Sequence, residues 1–396
     1  MSSGYPTEVI QEGKAKLIIP KLDEGSGEPL QHLRSEAPVF YNPVMKTNRD
    51  TAVLMLRAYQ GKTHHPITVC EPMTGSGVRG IRLLLEAHEI ETLTLGDLNP
   101  SALRLARENA YLNGLSERVN LRELDASLLL SLHSYPFGRF DYVDIDPYGS
   151  PTTFIDAAIM ATKNHGVIAL TATDMAPLCG VNKLACLRKY GGWPINGDFC
   201  HETALRLMAG AMIRHAAVYE YAATPLFSYY ADHYIRGYYR IDRGAKRADS
   251  LLEQMGYIRY CPVCQHSETS KNNSEKNCVC GEPMKIGGPM WLGELSDPEY
   301  TDAMMLDLDN LPYLNGAKAE AIIRLVHGEY GFPVGFFIID SICRLVGVKS
   351  VATEDAMNAI SSAGFRVTRV HYDPRGLKTD ATAAELVEVF KKWLAV

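Results

Sequence analysis

An acid, a proline and an aromatic ring stand in a row at Asp146-Pro147-Tyr148, directly after Phe140, Tyr142, Val143 and Ile145, whose spacing predicts a short buried strand. Gly149-Ser150-Pro151 then ends that strand abruptly. In an open α/β sheet, ligands bind at the carboxyl ends of strands. Taken alone, the tripeptide is equally compatible with an ordinary Asp-Pro turn. A loop upstream shifts the balance. Gly75, Gly77 and Gly80 form a G-x-G-x-x-G pattern between a strand at Ile67–Glu71 and a helix from Ile81 to Ala87, the context in which glycine lets a ligand approach the backbone. Asp97, seventeen residues beyond Gly80, ends the second strand and is placed to bind ribose hydroxyls.

A glycine loop and a ribose acid suit a nicotinamide cofactor or S-adenosylmethionine, since both carry an adenosine ribose. Glu71, at the tip of the first strand, puts an acid near the cationic methionine end of the latter, and Asp125-Ala126, after a third strand at Val119–Glu123, is placed to meet adenine. Asp146-Pro147-Tyr148 resembles the catalytic motif of amino-group methyltransferases. The lone pair of an exocyclic amine is conjugated with its base, so positioning must contribute much of the rate. Asp146 can accept a hydrogen bond from the amine and then its proton, while the Pro147 carbonyl holds the second hydrogen. Methylated nitrogen is strongly acidic, so a carboxylate with a pKa of about 4 is basic enough. Tyr148 offers a face for a base taken out of its stack.

Cys261, Cys264, Cys278 and Cys280 give C-x2-C-x13-C-x-C within twenty positions. In a reducing compartment such crowding points to metal before disulfides. Two close thiolate pairs suit a structural, tetrahedral Zn2+ that organises a short loop lacking its own core. The second pair is one residue shorter than the commonest spacing, and His266 is the substitute ligand. Four buried free thiols would conflict with the polar stretch from Ser267 to Asn277. Cys179, Cys186 and Cys200 read as packed thiols.

The elements that must position these groups alternate strand and helix, which predicts a doubly wound α/β sheet about seven strands wide, with an antiparallel edge near Ala217–Ala222 and His233–Ile241. With the resemblance of Asp146-Pro147-Tyr148 to the amino-methyltransferase motif, the implied type is the Rossmann-like class I methyltransferase sheet. Asn48-Arg49-Asp50 starts a helix running to Tyr59, Asp23 to Pro29 reads as a loop, and Met175 to Trp193 as a loop carrying Lys183, Arg188 and Lys189. A smaller α+β C-terminal domain with a zinc loop at about 256–288 follows, ending in a winged-helix pattern from Phe336 to the turn Asp373-Pro374-Arg375-Gly376. The expected division is residues 1–255 and 256–396. With 46% hydrophobic and 22% charged residues in 396, the chain reads as a globular protein of two or three domains. No apolar run is long enough to span a bilayer, and the polar start from Met1 to Lys21 is unlike a secretory signal, which predicts a cytoplasmic protein without membrane contact. Nothing in it calls for an obligatory protein partner.

A net charge of −6 gives no global signal for nucleic acid, so contact with an acidic polymer must come from patches. His233 to Arg247 interleaves Arg236, Arg240, Arg243, Lys246 and Arg247 with Tyr234, Tyr238 and Tyr239, a mixture suited to phosphate contact and stacking on RNA, or to an edge strand with core tyrosines. Arg366, Arg369, His371, Arg375 and Lys378 form a second such set.

Longer motifs carry a family resemblance. Val39-Phe40-Tyr41-Asn42-Pro43, Asn48-Arg49-Asp50, Gly80-Ile81-Arg82, Asp144 to Pro151, Thr171-Ala172-Thr173-Asp174, Ala176 to Gly180, Cys186 to Tyr190, Tyr230 to Tyr234 and Thr368 to Thr379 are together similar to the tRNA guanine-26 N2-dimethyltransferases, across nearly the whole chain. The resemblance implies formation of N2-methyl- and N2,N2-dimethylguanosine at position 26 of tRNA from S-adenosylmethionine. It implies cofactor contacts from Arg49, Arg79, Asp97, Asp125 and Ala126, action of Asp146 at the amine, and a target base bracketed by Phe40 and Tyr148. Family members usually carry Phe where Tyr148 stands; the ring face is kept, and a hydroxyl is added. The competing readings are an RNA or DNA amino-methyltransferase with another target base, and a tRNA-binding protein that holds cofactor without turnover.

Overall fold

In the computed structural model, which describes residues 5–22, 33, 36–63, 65–134, 138–314 and 317–394, the chain opens on an antiparallel hairpin of β1 (Thr7–Glu12) and β2 (Ala15–Pro20). The loop expected from Asp23 to Pro29 lies outside the described residues. One sheet of seven strands follows: β3 (Ile67–Glu71), β4 (Ile90–Asp97), β5 (Val119–Glu123), β6 (Phe140–Ile145), β7 (Thr162–Ala172), β8 (Tyr221–Ala231) and β9 (Tyr234–Arg243), in the order β5-β4-β3-β6-β7-β9-β8. The first five are parallel, and β9 and β8 close the edge antiparallel. Every residue of β6 is buried, because helices cover both faces of a parallel sheet.

The strand order reverses between β3 and β6, whose registered pairs Val69–Tyr142 and Cys70–Val143 bring their carboxyl ends level. Connections leave that point in opposite directions and open a crevice. Local chemistry fixes the helices around it. Asn99 caps Pro100–Leu112 through the Ser101 N–H, and Asp125 caps Ala126–Leu132 through the N–H groups of Ser127 and Leu128. Asn109, fully buried, donates to the carbonyls of Ile18 and Ser76 and accepts from the Ile18 N–H, so one amide ties the hairpin to the glycine loop.

Two boundaries differ from expectation. The stretch Met175–Trp193 contains helices Met175–Leu178 and Lys183–Tyr190, and the edge strand starts at Tyr221 rather than near Ala217. The apolar stripe of helix Cys200–Val218 runs as far as Ala216, and burying that stripe prolongs the helix.

Beyond the sheet, β10 (Met255–Tyr260), β11 (Ser267–Ser270) and β12 (Lys285–Trp291) form a small antiparallel sheet. A third sheet of β13 (Phe337–Ile338), β14 (Val367–Arg369) and β15 (Gly376–Thr379), ordered β13-β15-β14, packs with helices Ile339–Val346, Thr353–Ser362 and Ala383–Leu394. Cores run across residue 255: Tyr300, Met304, Leu308 and Ile323 pack with the helix Lys46–Thr63, and Ile258, Met290, Trp291 and Tyr372 pack with Cys200–Val218. The cluster from Ile339 to Phe390 stands on its own. Among the described residues, no helix is long and apolar enough to cross a membrane.

Glu202 ties the helix Cys200–Val218 to the C-terminal segments. Fully buried, it accepts from Lys378 Nζ at 2.9 Å, Arg206 Nε at 2.9 Å and the Gly335 N–H at 3.0 Å. Burial acts to raise its pKa, but the charges of Lys378 and Arg206, with the Gly335 N–H, outweigh it and hold the carboxyl at about 2. A pKa below the unfolded value stabilises the fold above the unfolded pKa, and that stability is lost as pH falls toward the folded one. Glu202→Gln should therefore cost on the order of 3 kcal/mol at neutral pH and flatten the loss of stability between about pH 4.5 and pH 2. Urea denaturation across that range tests it: an unchanged acid limb in the variant would assign acid sensitivity to other carboxylates.

Candidate active site and metal centre

The crevice is organised by Arg79, in the first turn of the helix Val78–Glu86. Its Nη1 donates to Asn48 Oδ1 at 2.6 Å and its Nε to Glu71 Oε1 at 3.2 Å; Nη2 pairs with Asp146, and Asp144 Oδ1 lies 3.6 Å from Nε. Asp144 is gripped from behind by Arg236, which reaches its two oxygens at 3.2 and 2.6 Å and also donates to Thr171 Oγ1 at 2.7 Å. Burial opposes ionisation of Asp144, yet Arg236 and Arg79 hold its pKa below the usual carboxylate value. Glu71 goes the other way. Burial, opposed by Arg79 and aided by Asp144, pushes it up to about 7.

The glycine loop divides its work. Gly75 and Gly77 hold φ of +54° and +78°, which side-chain-bearing residues adopt at a cost. Gly80 is helical and needed for packing, because a Cβ there would lie 2.6 Å from Leu95 and 2.9 Å from Leu93. Asp97 Oδ2 accepts from the Gly75 N–H at 2.9 Å, joining the tip of β4 to the loop. Asp125 is exposed at its helix cap and Ala126 beside it is buried. Arg49 is already engaged, its Nε and Nη2 each 2.6 Å from Glu12 of the hairpin.

Asp146 follows β6 and Tyr148 stands 71% exposed on the crevice rim. Phe40 touches Tyr148 edge-on, with ring centroids 5.0 Å apart and planes at 74°. The loop is braced from β7: the Gly149 N–H donates to Thr173 Oγ1 at 2.8 Å, and the Thr173 N–H returns to the Gly149 carbonyl at 2.9 Å. Asp146 is bound through Oδ2. The Arg79 guanidinium that binds it is fixed by three further groups, Asn48, Glu71 and Asp144.

Cys261, Cys264, Cys278 and Cys280 meet at the end of β10, their sulfurs all within 4.8 Å of one another. The Cys261–Cys280 and Cys264–Cys278 separations are 3.6 and 3.3 Å, close to the roughly 3.8 Å edge of a tetrahedron of thiolates around a metal. The cluster can hold a metal ion. His266 is outside it, its Nε2 turned toward Glu268 at 3.8 Å.

Residues 13–391 match the family described as N2,N2-dimethylguanosine tRNA methyltransferase. The chain belongs to that family. It is 36% identical over 383 residues to the tRNA (guanine(26)-N(2))-dimethyltransferase of Methanothermobacter thermautotrophicus, covering 96% of this chain and 97% of that one. It is 34% identical to the tRNA (guanine(26)-N(2)/guanine(27)-N(2))-dimethyltransferase of Aquifex aeolicus, over 96% and 95% of the two chains. Among solved structures, it superposes on Trm1 from Pyrococcus horikoshii in complex with S-adenosyl-L-methionine with a TM-score of 0.83 and 30% identity, covering 96% of this chain and 99% of that one.

In this dimethylguanosine methyltransferase family member, the sequence-derived RNA patches need correction. Tyr234, Tyr238, Tyr239 and Arg236 are fully buried, so none of them can stack on or contact an outside strand. Of the second set, Lys378 is buried on Glu202 of the helix Cys200–Val218 and the His371 side chain is buried on Glu329, whereas Arg366, Arg369 and Arg375 pair with Asp380, Glu354 and Asp340 and keep part of their side chains exposed. Sequence reasoning missed Arg236 and Glu12 as site-shaping groups. The signal was there for Asp144: an acid between Val143 and Ile145 in a strand that reads as buried requires a buried cation.

Arg236→Met should lower stability by about 3–5 kcal/mol by stranding Asp144, and Asp144→Asn added to it should restore much of that loss. Thermal denaturation of single and double variants decides; additive losses would remove the ion pair from the account. Cys264→Ser should drop bound metal from about one ion per chain to near none by elemental analysis and expose the β10–β12 sheet to proteolysis. Full metal content in that variant would place the ion elsewhere.

Proposed function

We infer that this chain is an S-adenosylmethionine-dependent tRNA methyltransferase that forms N2-methyl- and N2,N2-dimethylguanosine at guanine 26. The observation that carries the reading is the Asp146-Pro147-Tyr148 tip beside the glycine loop at the strand-order reversal, in a chain matched end to end by that family. The cofactor fits the crevice: positive-φ glycines leave backbone open, Asp97 stands at the second strand tip, and the buried Glu71 suits a cationic group. Gly75, Asp97, Asp125 and Ala126 hold the nucleoside end, and Glu71 the methionine end. When bound, S-adenosylmethionine supplies an electrophilic methyl group. Arg79 and Arg49 act through neighbours: Arg79 orients Asp146, and Arg49 fixes the hairpin that backs the site.

Asp146 offers its unpaired oxygen to the guanine amine, turning the nitrogen lone pair out of conjugation, and receives the proton that the nitrogen sheds. The Pro147 carbonyl accepts from the second amine hydrogen, so each round leaves the next hydrogen addressable after rotation about the C–N bond. The exposed face of Tyr148 stacks the extruded base, and Phe40, now edge-on to it, swings to complete the bracket. Lys183 and Arg188, exposed on the helix Lys183–Tyr190 near the crevice, meet tRNA phosphates.

The metal in the cysteine cluster is zinc, held for structure, because four thiolates leave no open position for a substrate. The division at residue 255 is functional rather than physical: the crevice lies before it, and the segments after it support the sheet and carry RNA-facing surface. The protein is cytoplasmic, where its tRNA substrate and reduced thiols coexist.

Asp146→Ala should lower kcat by about 10²–10⁴ while leaving the Kd for S-adenosylmethionine within about threefold. Transfer of labelled methyl to a tRNA transcript, followed by nucleoside analysis, should give dimethylguanosine, and none when guanine 26 is replaced by adenine. Label on another nucleoside would change the target base; unaltered turnover in the variant would take the proton-accepting role from Asp146.

A further inference from the structure

A second cavity lies at the opposite end of the sheet from the crevice. It opens between the carboxyl end of the helix Lys46–Thr63, the end of β9 and the helix Ala245–Leu252, and encloses about 690 Å³. The Val167–Arg240 pairing puts it at the amino ends of the parallel strands, whereas the active site uses their carboxyl ends. Lys62, Arg240, Lys246 and Arg247 line it against a single carboxylate, Asp242, in a protein of net charge −6. That carboxylate is already used, bound by Arg240 at 2.8 Å and by His165 at 2.7 Å.

Lys246 and Arg247 are exposed, and their side chains have no ion pair among the described residues. Both stand in the first turn of the helix Ala245–Leu252, where cations oppose the helix dipole and gain nothing from the fold. Tyr59 adds an independent sign. It is 3% exposed, lines the cavity, and its hydroxyl takes no partner among the described residues. Lys62 stands in the same wall, 5.1 Å from the Tyr300 ring centroid and bound to Glu299 Oε2 at 2.8 Å, so the uncommitted charge comes from Lys246 and Arg247. Converging ammonium and guanidinium groups with a buried phenol donor and helix N–H groups match the oxygens of a phosphoryl group.

We propose that this cavity is a phosphate-binding site separate from the methyl-transfer centre, receiving a phosphoryl group from an RNA strand or from a free phosphorylated molecule. It keeps the part of the His233–Arg247 expectation that burial did not remove. The RNA arm rests on the proposed function; the pyrophosphate arm does not.

The test measures melting of the full chain in sodium pyrophosphate against sodium chloride at matched ionic strength, for the wild type, K246E/R247E and Tyr59→Phe. A pyrophosphate-specific rise in Tm should appear in the wild type, vanish in K246E/R247E and shrink in Tyr59→Phe, with all three proteins alike in chloride. Steady-state methyl transfer then assigns the source. A raised KM for tRNA at unchanged kcat, with a salt dependence shallower by about two, makes the phosphate the RNA's; an unchanged KM makes it a free molecule's. No pyrophosphate-specific stabilisation in the wild type, or equal stabilisation in K246E/R247E, overturns the site.

Discussion

Two guanidinium groups, Arg79 and Arg236, hold three carboxylates, Glu71, Asp144 and Asp146, together where β3 and β6 end. Taking an ion out of water costs several kcal/mol unless its partners are fixed and complete. Each member therefore constrains the others. Asp144 can be buried in a central strand only because β7 and β9 register so that Arg236 reaches it, and Arg79 can leave solvent only because three acids and Asn48 surround it. The cluster fixes the crevice before any ligand arrives, and it gives Asp146 one nitrogen of a guanidinium whose other two nitrogens are bonded to Asn48 and Glu71.

The same arrangement leaves one of its acids protonated more readily than usual. Glu71, held near neutrality at about 7, is an acid whose ionised form would be favoured by a cation placed beside it. Ionisation without such a partner costs stability: with a folded pKa above the unfolded one, the contribution is fully present below about pH 4.5 and is lost as pH rises through 7. A cationic ligand reverses that loss, so binding and proton release are linked at this residue.

The hairpin β1–β2 is the less expected part of the design. Glu12 closes on Arg49 and Arg82, where burial would raise its pKa but the Arg49 bond and the two charges bring it to about 2. Asn109 fastens the same hairpin to the glycine loop. Residues at the very start of the chain thus stiffen a loop some sixty positions later. The cysteine sheet and the C-terminal module brace the far side, Arg206 reaching the carbonyls of Trp291 and Gly293 and its partner Glu202 holding Lys378 and Gly335.

Local chemistry in the sequence determined the strands, the caps at Asn99 and Asp125, the glycine turn, the four-cysteine cluster and the placing of Asp146 at a strand tip, because each depends on neighbours within a few positions. Family motifs extended this to the reaction. Only the tertiary structure decided which charges are spent inside. Arg236 and Lys378 read as surface cations in basic stretches, yet sheet register and helix packing turned them inward, to Asp144 and Glu202, while Tyr238 took the core place that the edge-strand alternative gave it. Arg49 met Glu12 rather than open solvent, and Lys246 and Arg247 stayed free beside a buried phenol. A cation's partner is set by distance in space, and pairs such as Asp144 and Arg236, 92 positions apart, have no local signature that could announce them.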